Sequence, residues 1–230
     1  MRRLTERILR AMTGGPADPM RQRSEMVASQ LRSRGIADER VLEAMAIVPR
    51  EHFLDERQRG FAYADEALPI QSGQTISQPY VVARMTELLG TRPGDRILEI
   101  GTGSGYQAAV LATLGCQVTS IERHADLAAT ARERLAAWPP ADSVEVRVGD
   151  GTLGAPDGAP WDGIIVTAAG PSVPPSLREQ LADGARLVIP VGPRHRQQLL
   201  VITRHGNEWT EESDGAVVFV PLIGDEGFEG

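Results

Sequence analysis

The chain has 230 residues and a mass of 24.8 kDa, with 24 arginines and no lysine against 31 acidic residues, for a net charge of −7. Its 41% hydrophobic and 24% charged residues predict a folded globular protein rather than a disordered one. The missing lysines exclude P-loop and Schiff-base enzymes, and the single Cys116 excludes disulfides and cysteine-rich zinc sites.

The same composition limits the expected partners. We expect no metal site, because the four histidines show no ligand spacing. We expect no nucleic-acid partner, because the net charge is negative, and no membrane partner, because no apolar run is long enough to span a bilayer. A lone cysteine is typical of a reducing compartment, so we expect a cytoplasmic location.

Residues 1–19 differ from the rest of the chain. Their arginines are interspersed with Leu4 and Ile8 in a short amphipathic stretch, which Gly14-Gly15-Pro16 follows. An arginine-rich, acid-poor start is one feature of transit peptides, whereas a frayed helix ahead of a linker is the plainer interpretation. We expect a flexible N-terminal extension.

The sequence pattern of residues 20–78 predicts a module of helices and irregular segments. A helical apolar spacing ends at Gly35, and Asp38 is placed to cap a second short helix that ends before Pro49. Residues 49–78 show no regular period. The module is too small for a core of its own, so we expect it to pack on the domain that follows.

From residue 79 to residue 230 the predicted elements alternate between helix and strand. The predicted helices are 79–89, 107–114, 125–137 and 176–182; the predicted strands are 97–100, 118–121, 144–148, 163–166, 186–189, 199–203 and 217–220. Strands separated by helices form right-handed βαβ units and a buried parallel sheet. The last two strands, joined by a turn at Gly206-Asn207, form an antiparallel C-terminal edge. We therefore predict an α/β core with a mostly parallel sheet and an antiparallel C-terminal edge.

The octet Leu98–Gly105 joins a strand to a helix through a glycine loop of the form G-x-G-x-G. Glycine lets the backbone take positive φ and lets a ligand approach closely, which is typical of a nucleotide-type cofactor site. Glu99, directly before the loop, would repel a pyrophosphate and attract a cation. The sulfonium and α-ammonium groups of S-adenosyl-L-methionine fit this charge, so we expect that cofactor.

Acidic residues also follow the next two strands. Glu122 ends a strand 17 residues after Gly105, where a carboxylate can accept hydrogen bonds from ribose hydroxyls. Asp150-Gly151 follows the third strand, where a side-chain oxygen and a backbone amide can hold an adenine edge. Taken alone, Glu99 is equally well a helix-dipole partner, Glu122 a strand-end charge and Asp150-Gly151 a turn. Together, at consecutive strand ends, they predict a cofactor site.

Further motifs extend from Arg23 to Phe228. They are Arg34-Gly35-Ile36, Val41-Leu42, Val48-Pro49-Arg50, Gly73-Gln74-Thr75-Ile76-Ser77-Gln78-Pro79, Gly149-Asp150-Gly151, Arg186-Leu187-Val188-Ile189-Pro190-Val191-Gly192 and Phe219-Val220-Pro221-Leu222. With the glycine loop, which many methyltransferases share, they resemble the protein-L-isoaspartate (D-aspartate) O-methyltransferase family, and Gly73–Pro79 is the most specific stretch. The sequence departs from the family pattern at Val217-Val218, where an arginine is expected, and residues 1–19 have no counterpart.

The resemblance implies a Rossmann-like, seven-stranded methyltransferase sheet with an N-terminal helical addition, acting as a monomer. It implies methyl transfer from S-adenosylmethionine to the α-carboxylate of L-isoaspartyl residues in damaged proteins and peptides, which initiates repair through a succinimide. The cofactor contacts that it implies are Thr75, Ile76, Ser77, Glu99, Gly101, Thr102, Gly103, Gly105, Glu122, Arg123, Asp150 and Gly151.

That reaction needs little acid–base chemistry from the protein. An α-carboxyl with a pKa near ~3.5 is already ionised at neutral pH, so positioning and removal of water suffice. By the same resemblance Ser77 is the candidate catalytic residue, a hydroxyl donor that orients the substrate carboxylate. The alternative is that Ser77 only caps the helix that begins at Pro79.

Two other functions stay open. One is a methyltransferase of the same fold that acts on another carboxylate, a small molecule or RNA, although the net charge opposes RNA. The Asn/Asp-Pro-Pro-aromatic motif of amino-methylating enzymes is absent from residues 166–170. The other is a cofactor-binding module without turnover, which intact Glu99, Glu122 and Asp150 argue against.

Overall fold

The computed structural model describes residues 18–230, which are organised around one large β-sheet. Two short strands, β1 (Leu68–Pro69) and β2 (Thr75–Ile76), form a separate antiparallel pair. The strands of the main sheet are β3 (Arg96–Ile100), β4 (Gln117–Glu122), β5 (Val144–Val148), β6 (Trp161–Val166), β7 (Leu181–Val191), β8 (Gln197–His205) and β9 (Glu208–Val217). Their order is β5-β4-β3-β6-β7-β8-β9, parallel from β5 to β7 and antiparallel beyond. The predicted fold class is confirmed.

Helices cover both faces of the parallel strands. They are α1 (Pro19–Met26), α2 (Glu39–Ile47), α3 (Pro79–Leu89), α4 (Tyr106–Thr113), α5 (Ala125–Ala136) and α6 (Pro175–Glu179). Alternate strand residues enter two separate hydrophobic clusters: Ile97 and Val188 pack with α3 and α4, whereas Leu98 and Leu187 pack with α6. Because these strands are buried on both faces, their sequences are short, continuous apolar runs.

The C-terminal hairpin differs from the prediction. Its two-residue turn at Gly206-Asn207 is confirmed, but the second strand is β9, and the strand predicted over 217–220 is wrong. The residues of β9 up to Ala216 are exposed at the edge of the sheet, so its sequence is polar and carries no apolar alternation. The apolar residues after Val217 instead leave the sheet, and the Val220 carbonyl accepts a hydrogen bond from the Ala169 N–H at 2.8 Å.

One helix boundary differs from the prediction, and the first helix is less regular than predicted. The helix predicted over 176–182 ends at Glu179, because Leu181 already begins β7. The first helix continues past α1 as a π-helical turn (Val27–Leu31) and a 3-10 turn (Arg32–Arg34), and it ends at Gly35 as predicted. Gly35 has φ of 95°, the left-handed conformation that ends helices.

Buried side chains and polar contacts join the N-terminal segment to the sheet. Met45 and Phe53 lie in the same hydrophobic cluster as Tyr106 of α4. Arg50 is fully buried, donates through Nε to the Ala62 carbonyl at 2.8 Å, and lies with its guanidinium 5.0 Å from the centre of the Tyr106 ring. Burial lowers the pKa of Arg50 to about 10. The segment therefore packs directly behind the residue that opens α4.

The predicted extension, residues 1–19, lies outside the described residues except for its last two. Asp18 caps α1 by accepting a hydrogen bond from the Met20 N–H at 3.0 Å, and Pro19 is the first helical residue. Across residues 18–230, none of the helices has the length and apolar character needed to cross a membrane.

Candidate functional site

A cavity of about 230 Å³ opens at the carboxyl ends of β3, β4 and β6. Strand β3 has β4 on one side and β6 on the other, so the cavity lies at the point where the strand order reverses, the usual ligand position in such sheets. The lining residues are Ser72, Gln74, Thr75, Ile76, Ser77, Val82, Met85, Ile100, Gly101, Thr102, Gly103, Ser104, Tyr106, Gln107, Ile121, Glu122, Arg123, His124, Gly151, Thr167, Ala168, Val220, Pro221, Leu222 and Ile223.

The glycine loop between β3 and α4 takes the conformation that its composition predicts. Gly101 has φ of 94°, and a Cβ there would lie 2.5 Å from Thr167 Oγ1. Thr167 follows β6, and its hydroxyl donates to the Gly101 carbonyl at 2.6 Å. The loop is thus fixed to the end of the neighbouring strand, and only glycine fits at its first position.

Glu122 ends β4 inside the cavity wall. Its carboxylate accepts hydrogen bonds from the Gly103 N–H and the His124 N–H, both at 3.0 Å, and the side chain is 5% exposed. One carboxylate therefore holds the glycine loop and the start of α5 together. Its remaining lone pairs lie at the cavity, where they can accept from two ligand hydroxyls.

Glu99 lies behind the loop and is fully buried. Ser120 donates to Glu99 Oε2 at 2.5 Å, so Thr102 must be the donor in its 2.6 Å contact with Ser120. Glu99 Oε1 has no hydrogen-bond partner among the described residues. Burial raises the pKa of Glu99 to about 8; the Ser120 hydrogen bond opposes this rise and the charge of Glu122 adds to it. Glu99 is therefore connected to the cavity wall by hydrogen bonds through the hydroxyl groups of Ser120 and Thr102.

Asp150 holds the C-terminal segment. Its Oδ1 accepts from the backbone N–H and the hydroxyl of Thr152 at 2.8 and 2.7 Å, and its Oδ2 accepts from the Asp225 N–H at 2.8 Å. Burial tends to raise the pKa of Asp150, but these hydrogen bonds hold it below its usual value. Residues Val220–Ile223 line the cavity. The Asp150 carboxylate therefore holds the chain directly after these residues to the end of β5.

Ser77 lies in the segment that enters α3, and it lines the cavity. The residue that caps α3 is Gln78, and no side chain caps this helix, so the capping interpretation of Ser77 is wrong. The same segment is held to α5 by Ser72, whose hydroxyl donates to Asp126 at 2.8 Å. Ser72 has φ of 57°, which a non-glycine residue rarely adopts.

Most of the predicted site residues line the cavity. Thr75, Ile76, Ser77, Gly101, Thr102, Gly103, Glu122, Arg123 and Gly151 line it, whereas Glu99, Gly105 and Asp150 lie behind the lining. Their roles in binding stay predictions. Sequence reasoning missed Gln107, His124 and Thr167, although Thr167 follows a strand end and Gln107 follows the glycine loop, which are positions that face such a site.

No cluster of three potential metal-ligating side chains occurs within residues 18–230. The site offers instead a glycine loop, a carboxylate at the end of the second parallel strand and a second carboxylate buried behind the loop. This arrangement, in a sheet of this order, accommodates an adenosyl ligand that carries positive charge rather than a pyrophosphate. The fold and the site define the class of S-adenosylmethionine-dependent methyltransferases.

Comparison with known proteins places the chain in one family of this class of methyltransferases. The family model described as protein-L-isoaspartate(D-aspartate) O-methyltransferase matches residues 21–227, and the chain belongs to this family. A protein-L-isoaspartate O-methyltransferase of Methanoregula boonei is 56% identical over 208 residues, which cover 90% of this chain and 95% of that protein. One from Methylorubrum populi is 55% identical over 202 residues, covering 87% and 94%.

Solved structures agree with the sequence relatives. A protein-L-isoaspartate O-methyltransferase structure superposes with a TM-score of 0.80 at 28% identity, covering 89% of this chain and 67% of that one. A Plasmodium falciparum protein described as a protein-L-isoaspartate O-methyltransferase, in complex with S-adenosyl-L-homocysteine, superposes with a TM-score of 0.76 at 26% identity, covering 87% and 98%.

We predict that Glu122→Ala weakens binding of S-adenosylhomocysteine about tenfold or more. The substitution removes a charged acceptor for ribose hydroxyls, and each such hydrogen bond contributes ~1.5–3 kcal/mol. Isothermal calorimetry measures the change, with Glu133→Ala as the control, because Glu133 is an exposed residue of α5 with the same charge. An unchanged affinity in Glu122→Ala would mean that Glu122 only holds the loop.

We predict that binding of S-adenosylhomocysteine releases protons from Glu99. Because burial keeps this carboxyl largely protonated below pH 8, an ammonium ligand that favours the carboxylate must displace its proton. At pH 6.5, where the ligand's α-amino group is already protonated, calorimetry in buffers of different ionisation enthalpy should show proton release. Glu99→Gln should release fewer protons; equal release by both proteins would contradict the prediction.

Proposed function

We infer that this protein transfers the methyl group of S-adenosylmethionine to the α-carboxylate of L-isoaspartyl residues in proteins and peptides, and so initiates their repair. Family membership over residues 21–227 carries this conclusion. Relatives more than 50% identical over about 90% of the chain bear the same enzyme name. The methyl ester formed then collapses to a succinimide, whose hydrolysis returns some normal aspartyl residues.

The residues of the cavity fit the cofactor. Glu122 presents free lone pairs beside a glycine loop whose first position admits no Cβ. Glu99 supplies a buried acceptor whose ionisation is favoured only when a cation is near. When bound, S-adenosylmethionine supplies a methyl group on a positively charged sulfur, which a carboxylate oxygen accepts in one displacement without proton transfer.

The protein's own contribution is positioning. The substrate carboxylate is ionised at neutral pH, so no side chain has to remove a proton from it. We propose that the Ser77 hydroxyl donates a hydrogen bond to this carboxylate and leaves a lone pair on the other oxygen aimed at the methyl group. The position of Ser77 in the cavity lining and the absence of a capping role for it support this proposal.

Exclusion of water is the second contribution. The carboxylate is a stronger nucleophile when its hydration shell has been removed, and the cavity wall offers apolar surface from Val82, Met85 and Leu222. We propose that the C-terminal segment, held by Asp150, covers the reacting groups during transfer. The alternative acceptors, another carboxylate or a small molecule, are tested by the first experiment below.

We further propose that the protein acts as a monomer in the cytoplasm, without nucleic-acid or membrane partners. The buried, unpaired Cys116 and the net charge of −7 support this proposal. Size-exclusion chromatography with light scattering should give a mass near 24.8 kDa, the mass of one chain.

We predict base-labile methyl esters on isoaspartyl peptides only. The protein is incubated with labelled S-adenosylmethionine and with two peptides that differ only in an aspartyl or an isoaspartyl residue. In an isoaspartyl residue the peptide chain continues through the β-carbonyl, so the α-carboxylate is free. Because the proposed reaction methylates this α-carboxylate, label should enter only the isoaspartyl peptide. Equal labelling of both peptides, or labelling of neither, would overturn the proposed function.

We predict that Ser77→Ala slows methyl transfer by one to three orders of magnitude, because the substrate carboxylate loses its fixed donor. Cofactor affinity and the melting temperature should change little, since Ser77 caps no helix. Single-turnover transfer at saturating cofactor and peptide measures the effect. The matched control is Gln78→Ala, at the neighbouring position outside the cavity lining, which should keep the wild-type rate. A wild-type rate in Ser77→Ala would remove Ser77 from the mechanism.

A further inference from the structure

Gln107, in the wall of the cavity, has a buried side-chain oxygen that no described residue satisfies. It is the second residue of α4, is 6% exposed and belongs to the cavity lining. Its Nε2 donates to Thr86 Oγ1 at 2.9 Å, whereas its Oε1 is buried and has no partner among residues 18–230. A buried polar atom without a partner is costly, and in a binding site it is a position that a ligand can satisfy.

The contacts of Thr86 decide which atom of the Gln107 amide is free. Thr86 Oγ1 lies 2.8 Å from the Val82 carbonyl oxygen, one turn earlier in α3. Two oxygens approach this closely only with a hydrogen between them, so the single hydroxyl hydrogen of Thr86 points to Val82. Thr86 can then only accept from Gln107, which must present its NH₂ group to Thr86. The free atom is therefore the oxygen, and a matching ligand group must carry an N–H or O–H.

The surroundings of Gln107 restrict the ligand further. Val82, Met85 and Tyr106 give this corner of the cavity a largely apolar wall, which suits a short aliphatic chain. The glycine loop, Gly101–Gly105, lies immediately before α4, so Gln107 lies two residues after the segment that would hold the cofactor. A short aliphatic chain that ends in a donor is the chemistry of the methionine half of S-adenosylmethionine.

We propose that Gln107 Oε1 accepts a hydrogen bond from the α-ammonium group of the cofactor, and that Thr86 fixes the amide in the orientation that makes this possible. The inference rests on the proposed function for the identity of the cofactor. It makes Gln107 a specificity residue that distinguishes intact S-adenosylmethionine and S-adenosylhomocysteine from adenosyl thioethers without the amino group. Thr86, which acts through Gln107, is a positioning residue.

The test measures the affinity of three ligands by calorimetry. S-Adenosylhomocysteine carries the ammonium group, its desamino analogue lacks only that group, and 5′-methylthioadenosine lacks the whole amino-acid end. We expect the wild-type protein to prefer S-adenosylhomocysteine to the desamino analogue by about tenfold, the scale of one hydrogen bond to a charged donor. Gln107→Leu, which keeps the volume and removes the acceptor, should lower this preference severalfold, and the attraction of the buried Glu99 for the ammonium group should maintain the remainder. It should bind methylthioadenosine like the wild type, which also shows that it is folded.

Thr86→Val is the second variant, because it removes the group that orients the amide and leaves Gln107 in place. We expect a smaller preference than in the wild type, since the amide can then rotate. A loss of affinity in Gln107→Leu that is equal for all three ligands would show a change of cavity shape and overturn the proposal. So would an unchanged preference.

A peptide N–H of the substrate is the other donor that this acceptor could meet. A raised KM for the isoaspartyl peptide in Gln107→Leu, with the ligand preference intact, would assign Oε1 to the substrate and overturn the cofactor assignment. Failure of the wild-type protein to bind S-adenosylhomocysteine at all would contradict the proposed function instead, so the two outcomes are distinguishable.

Discussion

The carboxylate of Glu99 lies directly behind the glycine loop, hydrogen-bonded to Ser120 and connected through it to Thr102 on the cavity wall. Among residues 18–230 neither of its oxygens contacts an arginine, and burial opposes its charge. A cationic ligand at the loop therefore gains from an electrostatic interaction that the folded protein alone leaves incomplete. Glu122, at the end of the next strand, lines the same cavity and is our proposed acceptor for the ribose hydroxyls of that ligand. The order of the strands brings these two groups to one edge of the sheet.

The rest of the chain closes the space around that edge. The segment before α3 is held to α5 by Ser72 and Asp126, and the C-terminal segment is held to the end of β5 by Asp150. Both segments contribute lining residues, and both are attached by hydrogen bonds and by one buried side chain each, Ile76 and Leu222, rather than by strands of the main sheet. Such attachments can open for ligand exchange at lower cost than the sheet itself. The cavity thus combines a floor made by the main sheet with walls made by two segments outside it.

The sequence predicted the parallel sheet well, because strands buried on both faces carry a strong and local apolar signal. It failed at β9, whose exposed edge position allows a polar sequence from Glu208 onward. The grouping of Glu99, Glu122 and Asp150 around one edge of the sheet was predicted from their places at strand ends, since the topology fixes where those ends meet. The capping role considered for Ser77 was wrong because Gln78 occupies the position before the first helical residue, and no side chain caps this helix. Gln107 was missed because its importance depends on Thr86, 21 residues earlier in the chain.

The central claim is that this site works by positioning an already ionised carboxylate, without a general base. The most direct test is the pH dependence of single-turnover methyl transfer from about pH 5.5 to pH 8.5. S-Adenosylmethionine and the isoaspartyl peptide are saturating. Label in the ester and label in released methanol are counted together, because the ester hydrolyses at the higher pH values. With the substrate carboxylate ionised throughout and Glu99 held ionised by the bound cofactor, we predict a constant rate. A rate that rises tenfold per pH unit at the acidic end would reveal an essential base and contradict the account.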